Sequence, residues 1–313
     1  MDPENAPEST YEPSPEFVRA LAAANEPVTH ANAKQHEAAA LRAVLEAGRM
    51  MEEHPSPDRH LDEELTRQLG AHQWAAAITC YEQLITAATT RGEQGLVMCH
   101  QLHLSHLLAA LGHHEAALKA ARAATAVARQ FDRAYAAVCL ALESEARCLL
   151  DCQDPAAALA CTQEALQVVG SEPIAQTSRA RLLILRSRCS LALGDLTTVE
   201  SDLAEAWPLL DPLRDSLLLA GVQAALAGWH EVRAQWHRVR GELPAALLHQ
   251  RLALSRRRMV HAAPQLQHHV TAPSLVGTLN SLAQLLEEAG EQGQAAEARR
   301  EGESLLRELD LPA

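Results

Sequence analysis

Aromatic residues are scarce in this chain: Phe, Trp and Tyr together make up 3% of 313 residues, against 48% hydrophobic. The apolar content is therefore mostly Ala and Leu, both strong helix formers. β-branched runs are nearly absent, and Gly and Pro are few along the middle of the chain. Strands have little to build on, and an all-α protein is predicted. No stretch of 18 apolar residues is free of charges, so no membrane-spanning helix is expected. Lysine is almost missing: Lys34 and Lys119 stand against 25 Arg. With so much Ala, this bias points to a GC-rich bacterial coding sequence. The first residues, MDPENAPESTYEPSPEF, carry acids and prolines where a secretory signal carries basic residues and then an apolar run. A cytoplasmic location is the expectation.

Other absences narrow function. There is no GxSxG, no phosphate-cradling glycine loop, no HExxH and no local Cys/His signature, so no enzymatic activity is expected. The seven cysteines (Cys80, Cys99, Cys139, Cys148, Cys152, Cys161 and Cys189) are odd in number and contain no CxxC pair. Reduced thiols in helix cores are the reading, not a disulfide framework. The formal net charge of −13 disfavours non-specific nucleic-acid binding, because phosphates are repelled rather than neutralised. No cofactor and no metal are expected.

The charge is uneven. Met1 to Glu64 holds 14 acidic and 5 basic residues, so this segment supplies −9 of the total. Residues 1–30, with Pro3, Pro7, Pro13 and Pro15 among the acids, read as a largely disordered arm. Residues 31–57 read as a long helix with Ala38, Leu41, Leu45 and Ala47 at helical spacing, broken at His54-Pro-Ser-Pro57.

From Asp58 a repeat takes over, covering residues 58–309. A turn position just before the second helix of each unit recurs at His72, Gly112, Gln153, Gly194, Gly241 and Gly290, at intervals of 40 to 49 residues. Five residues after each anchor stand Ala77, Ala117, Ala158, Val199, Ala246 and Ala295. Twelve after stand Leu84, Ala124, Ala165, Ala206, Ala253 and Gly302. Seven before stand Leu65, Ser105, Ala146, Ser187, Ala234 and Ala283. Small residues at fixed offsets have one physical cause: two antiparallel helices approach closely only where side chains are small. Stacked helical hairpins follow. Pro264 and Pro273 predict an extended loop before the last hairpin, whose first helix is expected to start after Pro273. Pro208 and Pro212 predict the end of the fourth.

The segment His72 to Leu84, HQWAAAITCYEQL, resembles the tetratricopeptide repeat family, with Trp74 two after the turn, Ala77 then Ile78, and Tyr81 at the packing site. The last unit, Thr278 to Ala296, resembles the longer repeats of kinesin light chains. The units depart from the family in their length and in having lost most aromatic sites. The resemblance implies a right-handed superhelix of about six stacked hairpins, with the first helix of each lining a concave groove.

In that family, partner-binding side chains project from the first helix about ten and six residues before the turn. By position these are Leu102 and His106, Glu143 and Arg147, Ile184 and Arg188, Glu231 and Gln235, and Asn280 and Gln284, with Arg181 one turn earlier on the fourth first-helix and His103 beside His106. Arg grips carboxylates bidentately, and Asn can pair with an extended backbone through both donor and acceptor. A second candidate is a basic patch of Arg238, Arg240, Arg251, Arg256, Arg257 and Arg258, where Trp229 to Val270 carries seven Arg and two Glu. It could receive the acidic arm, an acidic partner or a phosphate group. His100, His103 and His106, spaced by three, drift across a helix face and do not make a convincing metal site. Trp229 and Trp236, seven apart, read as core knobs.

Two functions fit: an adaptor that holds a protein or peptide in the groove, or a regulatory receptor in which the same array senses a ligand or signalling peptide. Leu305, Leu306 and Leu309 could cap the array or join two copies into a homo-oligomer.

Overall fold

A computed structural model describes residues 58–131, 135–169, 176–215, 220–263 and 268–312. The readings for the arm and for the helix over 31–57 lie outside these residues. Among the described residues there are twelve α-helices and no strand. They are α1 (Arg59–Gly70), α2 (Trp74–Arg91), α3 (Gln94–Ala110), α4 (His114–Ala128), α5 (Tyr135–Asp151), α6 (Pro155–Val169), α7 (Gln176–Ala192), α8 (Leu196–Leu210), α9 (Ala220–Val239), α10 (Leu243–His261), α11 (His268–Glu288) and α12 (Gln292–Glu308). A single 3-10 turn, Asp211–Leu213, follows α8.

Consecutive helices pair into six hairpins, and each hairpin stacks on the next. One turn is used six times. His72, Gly112, Gln153, Gly194, Gly241 and Gly290 all have φ between 54° and 80°. At each, the following amide bonds back to the carbonyl five residues earlier at the helix end, as in Gly194–Asp195, where Asp195 N donates to Ser190 O at 2.8 Å and Gly194 N to Leu191 O at 3.1 Å. This closes the helix C-terminus and reverses the chain in three residues. Glycine reaches the left-handed conformation freely; His72 and Gln153 reach it at a cost of about 1 kcal/mol.

The small residues sit where the offsets placed them. Ala77, Ala117, Ala158, Val199 and Ala246 have no exposed surface, nor do Ala124, Ala165, Ala206 and Ala253, nor Ser105, Ala146, Ser187, Ala234 and Ala283. They form the seam between the two helices of each hairpin. The first hairpin places Leu65 and Leu84 at two of these sites, and both pack in its cluster with Leu69 and Tyr81.

One boundary differs from expectation. α11 begins at His268 and carries Pro273 inside it, in its second turn, so the connection after α10 is shorter than the prolines imply. Pro273 is the sixth residue of α11, just past the four amides that have no helical acceptor, so it gives up one helical hydrogen bond. α8 ends at Leu210, between Pro208 and Pro212, where those prolines predict the end of the fourth hairpin.

The first helices of successive hairpins, α3, α5, α7 and α9, touch one another along the inner side. The circuit then closes: α11 touches α3, and the Trp74 indole donates to the Asp310 carbonyl at 2.9 Å. The last hairpin thus meets the first two. Leu305 packs in the last hairpin's own core; Leu306 and Leu309 are half-buried.

Candidate functional site

The inner face of α5, α7, α9 and α11, with one side of α10, carries a continuous charged network. Glu143 on α5 is buried and accepts from two arginines: Arg147 Nη2 at 2.6 Å, one turn away, and Arg181 on α7, whose Nε lies 3.1 Å from Oε1 and Nη2 2.7 Å from Oε2. Glu231 on α9 repeats the arrangement. It accepts from Arg257 of α10 through two bonds of 2.8 and 2.9 Å, from Arg188 of α7, and from the Thr278 hydroxyl of α11 at 2.6 Å. Each carboxylate is thus shared by two guanidiniums.

The electrostatics follow. Burial raises the Glu231 carboxyl, but attraction from Arg257 and Arg188 and the hydrogen bonds outweigh it and bring its pKa down to about 2. At Glu143, burial is likewise outweighed by Arg147 and Arg181, and the pKa falls below the ordinary value. Burial pulls the Arg188 pKa down; Glu231 opposes this, while Arg257 and Arg147 nearby push the same way. Guanidinium stays charged throughout.

Two adjoining cavities open onto this network, sharing Arg188, Arg257 and Ser274 as a common wall. The first, about 410 Å³, presents Arg147, Arg181, Arg188 and Arg257 over a floor of Ala220, Gly221, Ala224, Ala225 and Gly228. Gly228 matters here: a Cβ on it would lie 3.3 Å from the Ile184 side chain and 3.6 Å from an Arg188 guanidinium nitrogen. Its absence lets α9 and Arg188 approach each other. The second, about 670 Å³, is lined by Asp151, Gln153, Glu231, Gln235, Gln250, Thr278 and Ser281 among others. Both volumes fall within the range of small-ligand sites, which is about 300–1,000 Å³.

Of the groove residues expected from spacing, Glu143, Arg147, Arg181, Arg188 and Glu231 form the network, and Gln235 lines the second cavity. Ile184 lines the first. Others lie elsewhere. Leu102 is buried against Ala124 and Ala141. His106 Nε2 lies 3.4 Å from the Ser144 hydroxyl, and burial, reinforced by Arg147, lowers its pKa to about 4. His103 is exposed beside Tyr81, at 6.2 Å between rings. Asn280 and Gln284 are exposed and line neither cavity; Asn280 sits beside Gly302 of its own hairpin partner. On α11 the groove is instead met by Ser274, Thr278 and Ser281.

The six arginines read as a basic patch do not share one surface. Arg257 turns into the groove. Arg238 pairs with Glu288, Arg240 with Glu242, and Arg258 with Glu301; Arg251 reaches Gln294 at 3.3 Å; Arg256 donates to Gln223 and to the Arg214 carbonyl. Each is neutralised or bonded by its neighbours, because successive helices place an acid or amide opposite each one. The membership of Arg257 in the groove went unseen because it lies on a second helix, sixteen residues past its turn, and only its length carries it inward. Trp229 donates to the Leu203 carbonyl at 2.9 Å, and buried Trp236 lies under Arg233 and Arg240. Among the described residues no group of three or more His, Cys, Asp or Glu is arranged to hold a metal, and no helix is long and apolar enough to cross a membrane.

No protein-family model matches the chain, and no curated protein matches it in sequence. Solved structures do match. A Rap protein complexed with competence and sporulation factor superposes with a TM-score of 0.56 at 14% identity, over 94% of this chain and 74% of that one. BtubC (BKLC) from P. vanneervenii gives 0.47 at 16% identity, over 80% and 93%. Apo RapI gives 0.42 at 12% identity, over 94% and 98%. The fold is that of a tetratricopeptide-like helical-repeat solenoid.

Proposed function

We propose that this protein is a peptide receptor that holds a short extended segment in the groove of its array and has no catalytic role. The observation that supports this best is the pair of joined cavities on the inner face, bounded by α5, α7, α9 and α11, in an array whose ends touch. A closed circuit leaves room for a segment of chain and not for a folded domain. The network along the groove wall points the same way. Half-buried ion pairs add little net stability over apolar packing, so a run of them on one face is better explained by recognition than by folding. The solenoid fold likeness includes a Rap protein complexed with competence and sporulation factor, and the present reading extends a peptide to this chain as its own ligand class. Pre-ordered repeats lose little conformational freedom on binding. Of the two functions the sequence allows, the receptor is favoured over a general adaptor; the readout then lies in a partner or in the array's own closure.

The test is retention of an unbiased pentapeptide library on the immobilised full-length protein, read by mass spectrometry. Retained peptides, lost in Arg188→Glu and kept in Asn280→Ala, are the expected result. Retention of no peptide by the wild-type protein overturns the reading.

A further inference from the structure

The two cavities differ in charge in a way that orients a ligand. Among the described residues, the lining of the first contains four arginines and no Asp or Glu. The counter-charges, Glu143 and Glu231, lie behind the guanidiniums, so the cavity surface is cationic although its neighbourhood is half compensated. The second cavity contains Asp151 and Glu231, three glutamines, and the hydroxyls of Thr278 and Ser281. One end of the groove attracts an anion, and the other offers acceptors and amides.

A count of donors shows where the anion is held. Arg181 and Arg257 each give two N–H groups to their glutamate and are used up as anchors. Arg147 and Arg188 each give one, through Nη2. Both stand six residues before their turns on successive inner helices, α5 and α7, so they are neighbours around the groove. Each keeps donors that no described residue fills, and a carboxylate is the acceptor that matches two such forks. The floor below them, formed by Ala220, Gly221, Ala224, Ala225 and Gly228, carries no polar side chain and accommodates a small apolar group.

Resting on the peptide reading above, the geometry points to a polar orientation: the ligand enters with its C-terminal carboxylate against Arg147 and Arg188 in the first cavity, its last side chain small and apolar, and its preceding backbone along the exposed amides of Gln153 and Gln235 in the second.

The experiment compares two pentapeptide libraries of the same sequences, one with free C-termini and one with C-terminal amides, on the wild-type full-length protein. The expected result is retention from the free-acid library, with the amide of each selected peptide bound at least tenfold more weakly. Arg147→Gln and Arg188→Gln should each weaken the selected acids about tenfold and narrow the gap between each acid and its amide. Both variants leave the glutamates with their bidentate partners, and a thermal melt checks that they fold. Acids and amides retained equally overturn the orientation while the peptide reading stands. Retention of neither library overturns both.

Discussion

The seams inside the hairpins and the face of the groove are built from opposite kinds of residue. A seam is made mostly of Ala and Ser, with Val199, Gly302 and, in the first hairpin, Leu65 and Leu84; it is buried, repeated at the same three offsets, and neutral. The groove is made of long charged side chains that appear in only some units and find partners across helices 26 to 47 residues apart. In a seam the separation of two helices is the controlled quantity, and one methyl group decides it. In the groove the controlled quantity is charge, and the separation between helices is bridged by the reach of arginine. The difference teaches that repetition marks what holds the array together, while departure from repetition marks where it can recognise something.

That contrast can be pressed from both sides. The largest effect should come from Glu231→Ala. It strips Arg188, Arg257 and Thr278 of their shared acceptor, and leaving buried charges unpaired costs about 3 kcal/mol or more. Denaturant unfolding measures this, and pH adds a signature. The folded pKa of Glu231, about 2, lies below the ordinary value of 4.5, so its stabilisation is complete above 4.5 and is lost as pH falls toward 2. The gap between wild type and variant should hold steady above pH 4.5 and narrow below it. A gap that stays constant to pH 2 would show the carboxylate to be unimportant.

In a seam, Ala206→Leu should cost about 1–3 kcal/mol by overpacking, since Ala206 has no exposed surface and no room to yield. The same substitution at Asn280, on an open face, should cost less than about 0.5 kcal/mol. Equal effects would erase the distinction between seam and surface. The smallest effect is a gain. Gln153→Gly removes the left-handed strain at φ 62°, worth about 1 kcal/mol, less the extra freedom glycine gives the unfolded chain. A net rise of about 0.5 kcal/mol in unfolding free energy is expected.

Much of this was legible because the hairpin constrains sequence locally. The left-handed turn and the three small sites are fixed distances apart along one chain, so His72 and Gln153 could be placed as turns without being glycine. Glu143, Arg147, Arg181, Arg188 and Glu231 were legible for the same reason: an inner helix presents the same offsets in each unit. Arg257 was not, because its position depends on how far a side chain of a second helix reaches past its neighbour. Asn280 and Gln284 lie on an exposed face of α11 and line neither cavity, where Ser274, Thr278 and Ser281 of the same helix stand instead.

What the sequence determined by itself is the unit: a helical hairpin with a left-handed turn and a close seam, used six times, since each of these depends on contacts within about forty residues. What only the tertiary structure decided is the closure. The contact of α11 with α3, the bond from Trp74 to Asp310, and the two cavities sharing Arg188 and Arg257 depend on small rotations added from hairpin to hairpin. No single repeat encodes that sum, so the chain announces its architecture locally and forms its groove only as a whole.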